Sequence, residues 1–191
     1  MQFISQLIPD VFVIEPKEHG DSRGYFVESF RQDLFEAAVG YKVNFVQDNE
    51  SKSAKGVLRG LHFQLAPDAQ SKLVRVIEGR VLDVAVDIRQ GSRTFGQHIA
   101  VELSGDNKKQ MFIPRGFAHG FVVLSDTATF AYKVDNYYAP QSDRGLAFDD
   151  KELNIDWLLP KEQLLLSDKD RQQPRLSELE ACFDVTQDYY V

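Results

Sequence analysis

Cysteine is all but missing from the 191 residues: Cys182 stands alone. No disulfide can close within the chain, and no thiolate cluster can hold a metal. Histidine is nearly as scarce, with only His19, His62, His98 and His119. That is little material for a mononuclear centre, which normally takes about three or more well-placed ligands. No apolar run approaches membrane-spanning length. The opening Met1-Gln2-Phe3-Ile4-Ser5-Gln6 has neither a basic segment nor a continuous apolar one, so no secretory signal is read there and a cytoplasmic protein is expected. Basic residues are outnumbered, 22 Lys and Arg against 29 Asp and Glu, for a net charge of −7. Neither nucleic acid nor an anionic membrane is therefore an expected partner, and an anionic ligand would need a local group of Arg and Lys. Repeats, low-complexity tracts and linkers are missing too, so residues 1–191 read as one domain, long enough to bury a full core.

What is present is a succession of short β-type segments. Val11–Glu15 follows a Pro-Asp turn, and aromatic-rich Tyr25–Phe30 follows the turn Asp21-Ser22-Arg23-Gly24. One helix is expected at Gln32–Val39, with Leu34, Phe35, Ala38 and Val39 at helical spacing and Gly40 as its stop. Val43–Gln47 reads as a strand and the polar run Asp48–Ser53 as a solvated loop. Lys72–Ile77 and Val81–Ile88 read as strands joined by the tight turn Glu78-Gly79-Arg80. More strands are expected at 97–103, 109–113, 120–124 and 127–134, and a short helix from Pro174 through Cys182. Many short strands with one early helix predict an antiparallel sandwich or barrel.

The most informative stretch is Lys55-Gly56-Val57-Leu58-Arg59-Gly60-Leu61-His62-Phe63-Gln64. Strict alternation along a strand would put Arg59, Leu61 and Phe63 on one face and Leu58, Gly60, His62 and Gln64 on the other. His62 then sits on a mostly apolar surface, suited either to a hydrogen-bonded core histidine or to proton transfer near neutral pH. The second stretch is Pro114-Arg115-Gly116-Phe117-Ala118-His119. Its Pro-x-Gly-x-x-His pattern between two strands resembles a signature of cupins, small jelly-roll barrels with a ligand-filled interior. Gly56 followed by His62 similarly resembles the start of the other cupin signature. Metal-binding cupins continue with a second histidine, where this chain has Phe63 and Gln64.

Several segments together resemble a narrower family. Arg59-Gly60-Leu61-His62-Phe63-Gln64, Phe45-Val46-Gln47-Asp48-Asn49 and Pro114 to Phe121 are similar to the dTDP-4-dehydrorhamnose 3,5-epimerases. So are Asp21 to Ser29, Lys72-Leu73-Val74-Arg75, Tyr132-Lys133 and Tyr137-Tyr138, in the same order, from about Ile8 to Asp170. The resemblance implies an all-β, antiparallel jelly-roll (cupin) barrel with a few short peripheral helices, working as a homodimer without cofactor or metal. The implied substrate is dTDP-4-dehydro-6-deoxy-D-glucose, inverted at C3 and C5 on the way to dTDP-L-rhamnose.

Such chemistry needs a base, an acid across the sugar ring and a cation or donor at the keto oxygen, because a C–H beside a ketone is removable only if the enolate is stabilised. By resemblance His62 is the base, Asp170 the carboxylate that orients it, Tyr132 the opposite acid and Lys72 the group beside the keto oxygen. Read without the resemblance, Tyr132 belongs to an apolar strand face with Phe130 and Val134, Lys72 is an edge charge, and Asp170 lies in a charged surface run beside the rival Asp168. Substrate binding carries over to Arg23, Glu28, Gln47, Asp48, Asn49, Arg59, Lys72, His119, Tyr138, Asp143 and Lys169. Arg23, Arg59 and Lys169 suit a diphosphate and Tyr138 a stacked thymine. His119 reads either as a ligand donor or as a turn histidine capping backbone. The family often has Glu at the position of Asp143, and Arg23 and Glu28 lie where N-terminal strands can exchange between subunits.

Three other readings stay open: a relative that inverts only C3 or shifts the keto group, a non-catalytic nucleotide-sugar-binding cupin, and a metal-dependent cupin oxygenase. Retention of Tyr132 is expected to favour inversion at both carbons, and base, orienter and acid together exceed what binding alone requires.

Overall fold

The computed structural model describes residues 1–190. In chain order its elements are β1 (Gln2–Ser5), β2 (Phe12–Glu15), β3 (Glu18–Asp21), β4 (Gly24–Val27), α1 (Gln32–Val39), β5 (Gln47–Ala54), β6 (Leu58–Gln64), β7 (Lys72–Glu78) and β8 (Arg80–Asp87). These are followed by β9 (Arg89–Gln90), β10 (His98–Ser104), β11 (Gln110–Ile113), β12 (Phe117–Val123), β13 (Thr127–Val134), β14 (Asp143–Gly145), the short α2 (Asp168–Arg171) and β15 (Phe183–Asp184). A six-stranded sheet runs β1-β2-β11-β7-β13-β5 and a five-stranded sheet runs β10-β8-β12-β6-β14. Every pairing within these two sheets is antiparallel. They face one another as a jelly roll. Among the described residues no helix is long and apolar enough to cross a membrane.

The five-stranded sheet is covered on both sides, which explains why β8 and β12 read as nearly continuous apolar runs. Between the sheets lie Val74, Val76, Val81, Ala85, Phe121 and Phe130. On the outer face of the five-stranded sheet, Leu82, Val84, Val86 and Val122 pack under the irregular C-terminal segment through Leu146, Trp157, Leu164 and Phe183. On the outer face of the six-stranded sheet, α1 lays the fully buried Phe35 against Phe112, with ring centroids 4.9 Å apart in an edge-on contact. The helix has its expected bounds. Gly40, with φ of 87°, donates its N–H to the Glu36 carbonyl and ends it, a left-handed conformation that glycine adopts at little cost.

Five expectations need correction. The expected strand Val43–Gln47 is irregular through Val46, where Val43 and Phe45 pack in the cluster around Phe35, and the strand begins only at Gln47. The polar run Asp48–Ser53 is not a loop but the body of β5, paired residue by residue with β13. Its alternation was invisible because both faces are polar: Gln47, Asn49, Ser51 and Ser53 turn inward, while Asp48, Glu50 and Lys52 turn to solvent. β7 and β8 do not form a hairpin. They belong to different sheets, and Gly79 is the corner between them, where a Cβ would lie 2.1 Å from the Thr127 carbonyl oxygen. The aromatic run Tyr25–Phe30 is extended only through Val27, in a solvent-exposed hairpin with β3. The expected helix from Pro174 is reduced to one 3-10 turn at Leu176–Glu178 before β15.

Candidate active site

One cavity of about 640 Å³ opens between the sheets, within the range of small-molecule sites. Its two walls come from different sheets. β6 and β12 contribute Arg59, His62, His119 and Phe121, while β7 and β13 contribute Lys72, Phe130 and Tyr132. Asn49 and Ser51 reach in from β5, and the α2 region adds Ser167, Lys169 and Asp170. Phe121 and Phe130 stack with centroids 4.1 Å apart, forming a flat apolar part of the wall.

Arg59 and His62 share this cavity because β6 does not alternate strictly. His119 pairs with His62 but Phe121 pairs with Arg59, so β6 spends one more residue than β12 over the same step. This β-bulge turns both polar side chains inward and sends Leu58, Leu61 and Phe63 to the outer core. The expected opposition of Arg59 and His62 is thus overturned. Gly60 makes the bulge possible: its φ is 113°, and a Cβ there would lie 2.6 Å from both the Gly120 Cα and the His119 carbonyl oxygen.

His62 Nε2 lies 2.5 Å from Asp170 Oδ1. The imidazole is 31% exposed to the cavity, whereas the carboxylate is 5% exposed behind it. Ser167 caps α2 by accepting from the Asp170 N–H at 3.1 Å, and its hydroxyl donates to Asp170 Oδ2 at 2.8 Å. Burial pushes the Asp170 carboxyl up, but hydrogen bonds from His62 and Ser167 outweigh it, and the net shift is downward. Asp170 is therefore an anion at neutral pH. Asp168, its rival in the sequence, is exposed at the start of α2.

Lys72 is half-buried, and desolvation lowers its ammonium to about 8 despite the opposing attraction of Asp83 and Asp143. Burial raises Tyr132, with the Arg59 charge pulling the other way, so the phenol keeps its proton. His119 is a mid-strand residue, not a turn cap. It is buried, with Nε2 2.8 Å from Asp83 Oδ1, and burial holds it neutral against the pull of that carboxylate. Arg59 is steered by Ser53 Oγ, 3.2 Å from Nη2. At the rim Lys169 bonds Asp143, whose Oδ2 also accepts from the Tyr138 hydroxyl at 3.1 Å.

The structure thus brings His62, Asp170, Lys72, Tyr132, Arg59, His119, Asn49 and Lys169 around one space, with Tyr138 and Asp143 beside it. Gln47 touches the site only through Asn49, to which its amide donates at 2.8 Å. Three predicted binding residues are not at the cavity within this chain. Asp48 faces outward on β5 and pairs with Lys133 at 2.9 Å. Arg23 is on the exposed β3–β4 hairpin, 2.5 Å from Asp21, and Glu28 is exposed just after it. Sequence reasoning missed Ser167, Asp83 and Ser53. The Ser-x-x-Asp cap was a usable signal for Ser167, and an acid inside the apolar run Val81–Val86 for Asp83. Among the described residues no group of three or more His, Cys, Asp and Glu is arranged to hold a metal ion.

A cupin-type jelly roll with an acid–base constellation in its interior defines the class. The family model for dTDP-4-dehydrorhamnose 3,5-epimerase matches residues 5–178. A dTDP-4-dehydrorhamnose 3,5-epimerase of Shigella flexneri is 59% identical over 170 residues, 89% of this chain and 93% of that one. The crystal structure of a 3,5-epimerase from Legionella pneumophila in complex with dTDP-4-keto-L-rhamnose is 49% identical, covering 98% of this chain and 99% of that one with a TM-score of 0.93. The chain belongs to the dTDP-4-dehydrorhamnose 3,5-epimerase family. A 3'-monoepimerase from Streptomyces bikiniensis is also similar, at 33% identity over 90% of this chain and 86% of that one with a TM-score of 0.84. It was crystallised as a double mutant of a histidine and a tyrosine at the same spacing as His62 and Tyr132. Retention of the tyrosine therefore does not separate single from double epimerisation, contrary to expectation.

Proposed function

We propose that this chain, acting as one domain, inverts C3 and C5 of dTDP-4-dehydro-6-deoxy-D-glucose to give dTDP-4-dehydro-L-rhamnose. The observation that carries this reading is the His62–Asp170 pair facing Tyr132 across a cavity, in a chain of this family. With Asp170 ionised, His62 donates from Nε2 and keeps Nδ1 to accept a proton. His62 removes the proton from the carbon beside the ketone, and the electron pair moves to the C4 oxygen. The Lys72 ammonium stabilises that enolate as charge develops. The Tyr132 phenol then returns a proton to the carbon from the opposite face, which inverts the centre. C3 and C5 flank the same ketone, so one set of groups serves both. Arg59 and Lys169 hold the diphosphate, His119, whose Nε2 is taken by Asp83, offers Nδ1 as an acceptor, Asn49 donates its amide to the ligand, and Tyr138 at the rim stacks on the thymine.

The reading includes a cytoplasmic homodimer. Tyr25 and Phe26 on the β3–β4 hairpin are 58% and 69% exposed. A second copy covering them would bring Arg23 and Glu28 to the neighbouring cavity.

Proton NMR in deuterated water, with chelator-treated enzyme and dTDP-4-dehydro-6-deoxy-D-glucose, tests the proposal. Deuterium entering C3 and C5 supports it. Exchange at C3 alone supports the second reading, favoured by the likeness to the 3'-monoepimerase. No exchange at either carbon overturns both.

A further inference from the structure

The family match ends at residue 178, and the chain beyond it crosses back over the molecule to the end of β7 from which Lys72 projects. β15 pairs in parallel with β9 and seats Phe183 against Tyr189, centroids 5.0 Å apart. The Tyr189 hydroxyl accepts from the Asp184 N–H at 2.7 Å, and its carbonyl accepts from Arg115 Nη1. Tyr190 then packs its ring against two side chains. Tyr41 lies with centroids 4.5 Å apart, and the Arg115 guanidinium lies over the ring at 5.0 Å.

The hydroxyl of Tyr190 ends where three strands meet. It lies 2.6 Å from Ser71 Oγ and accepts from the Arg115 N–H at 3.1 Å. The Ser71 N–H donates at 2.6 Å to Asp135 Oδ1, while Asp135 Oδ2 accepts from Arg115 Nε at 3.0 Å. Ser71 immediately precedes Lys72, the residue that pairs with Ile113 on one side and Val134 on the other. Arg115 and Asp135 follow those two strands by one or two residues. Burial raises Tyr190, against the hydrogen bonds of Ser71, Tyr41 and Arg115, so the phenol stays neutral and holds its bonds across the working pH range.

We propose that Tyr190 is a positioning residue for Lys72: its hydroxyl, clamped to Ser71, fixes the strand end from which the lysine enters the cavity. The inference rests on the enolate-stabilising role proposed for Lys72. An amine placed by its own backbone is sensitive to small shifts, since displacement by about 1 Å can lower turnover by up to about a hundredfold. The C-terminal strap thereby becomes part of the catalytic apparatus without touching substrate.

The test compares Tyr190→Phe, Ser71→Ala, the double variant and Lys72→Gln in the full-length protein, with kcat, KM and melting temperature measured for each. Tyr190→Phe keeps the ring stacked and removes only the hydroxyl. It is expected to lower kcat about tenfold with KM unchanged within about twofold. Ser71→Ala should do the same, and the double variant should be no worse than the single ones within about twofold, as for partners in one contact. Wild-type kcat in both single variants, with only the melting temperature lowered, would overturn the positioning role; so would losses that multiply in the double variant. A Lys72→Gln enzyme with near-wild-type kcat would overturn the underlying reading of Lys72. A Lys72→Gln enzyme reduced to a residual rate beside a fully active Tyr190→Phe would overturn the role of the strap alone.

Discussion

Asp170 presents one oxygen to His62 and the other to Ser167, and both contacts depend on the single turn of α2 that Ser167 caps. The pair is drawn from opposite parts of the chain, 108 residues apart. Replacing Asp170 with Asn keeps the shape and removes the charge that fixes the imidazole. Turnover should fall by roughly 10²- to 10⁴-fold, as when the carboxylate of other His–Asp pairs is neutralised. Ser167→Ala leaves the charge and should cost only about three- to tenfold. Asp168→Asn should be nearly silent. Steady-state kinetics of the three distinguishes them, and a large effect at Asp168 would reassign the orienting carboxylate.

Lys72 sets an alkaline limit. Its ammonium is lowered to about 8 by burial, so the cation is present below that pH and lost above it. A kcat/KM profile is expected to fall through about pH 8, and the limb should vanish in Lys72→Gln, which keeps a residual pH-independent rate. The same group acts on stability with the opposite sign. Between about 8 and the ordinary 10.5, the unfolded chain holds a proton that the folded chain has released, so this group makes folding more favourable as pH rises. Activity and melting temperature should therefore diverge over that window.

Tyr132 should separate two steps. Tyr132→Phe removes the acid and leaves the His62 base in place. Solvent exchange at C3 is expected to survive better than formation of epimerised product, by at least about tenfold. Equal losses in the NMR exchange and product assays would argue against a donor on that face.

Gly60 is held by geometry and not by chemistry. Gly60→Ala would place a methyl against Gly120 and the His119 carbonyl in a positive-φ residue. We expect a loss of about 2–4 kcal/mol, read as a lowered denaturant midpoint. Activity should fall with it, because the bulge is what turns Arg59 and His62 to one side.

Arg23 offers a test of assembly. If it serves the neighbouring cavity, Arg23→Ala and His62→Ala homodimers should each be impaired. Mixed after mild dissociation and reassociation, they should recover about a quarter of wild-type activity, because one hybrid site regains both residues. Mixtures that stay as inactive as their parents would place Arg23 in its own subunit's site or in none.

Much of this fold is legible in the sequence. The 3.6-residue spacing of Leu34, Phe35, Ala38 and Val39 with Gly40 behind it gave α1 its observed bounds, because a lone amphipathic helix and its stop are both local signals. β13 was equally clear from Thr127 to Val134. What escaped depended on partners distant in sequence. β5 is polar on both faces, so no hydropathy period marks it, and only β13 opposite makes it a strand. Arg59 was put on the wrong face because a bulge shifts register without changing composition. Asp83 escaped notice because nothing nearby in the sequence announces His119 as its partner. The site residues themselves were found by the likeness of their motifs to a family, and the fold explains why those motifs converge.

The order of strands in the sheets also governs when the molecule can begin to work. β2 lies beside β11, β5 beside β13 and β6 beside β12, so nearly every neighbour is recruited across a long loop. Chains dominated by such pairings fold slowly, because the loops must close before the contacts reward them. On the ribosome, His62 emerges early and waits. Its acid arrives with β13, its carboxylate with α2, and the tyrosine behind Lys72 later still. Chemical competence thus waits on elements that follow the main sheets, and a chain stalled short of α2 would carry most of the jelly roll's strands without the partner that orients its base.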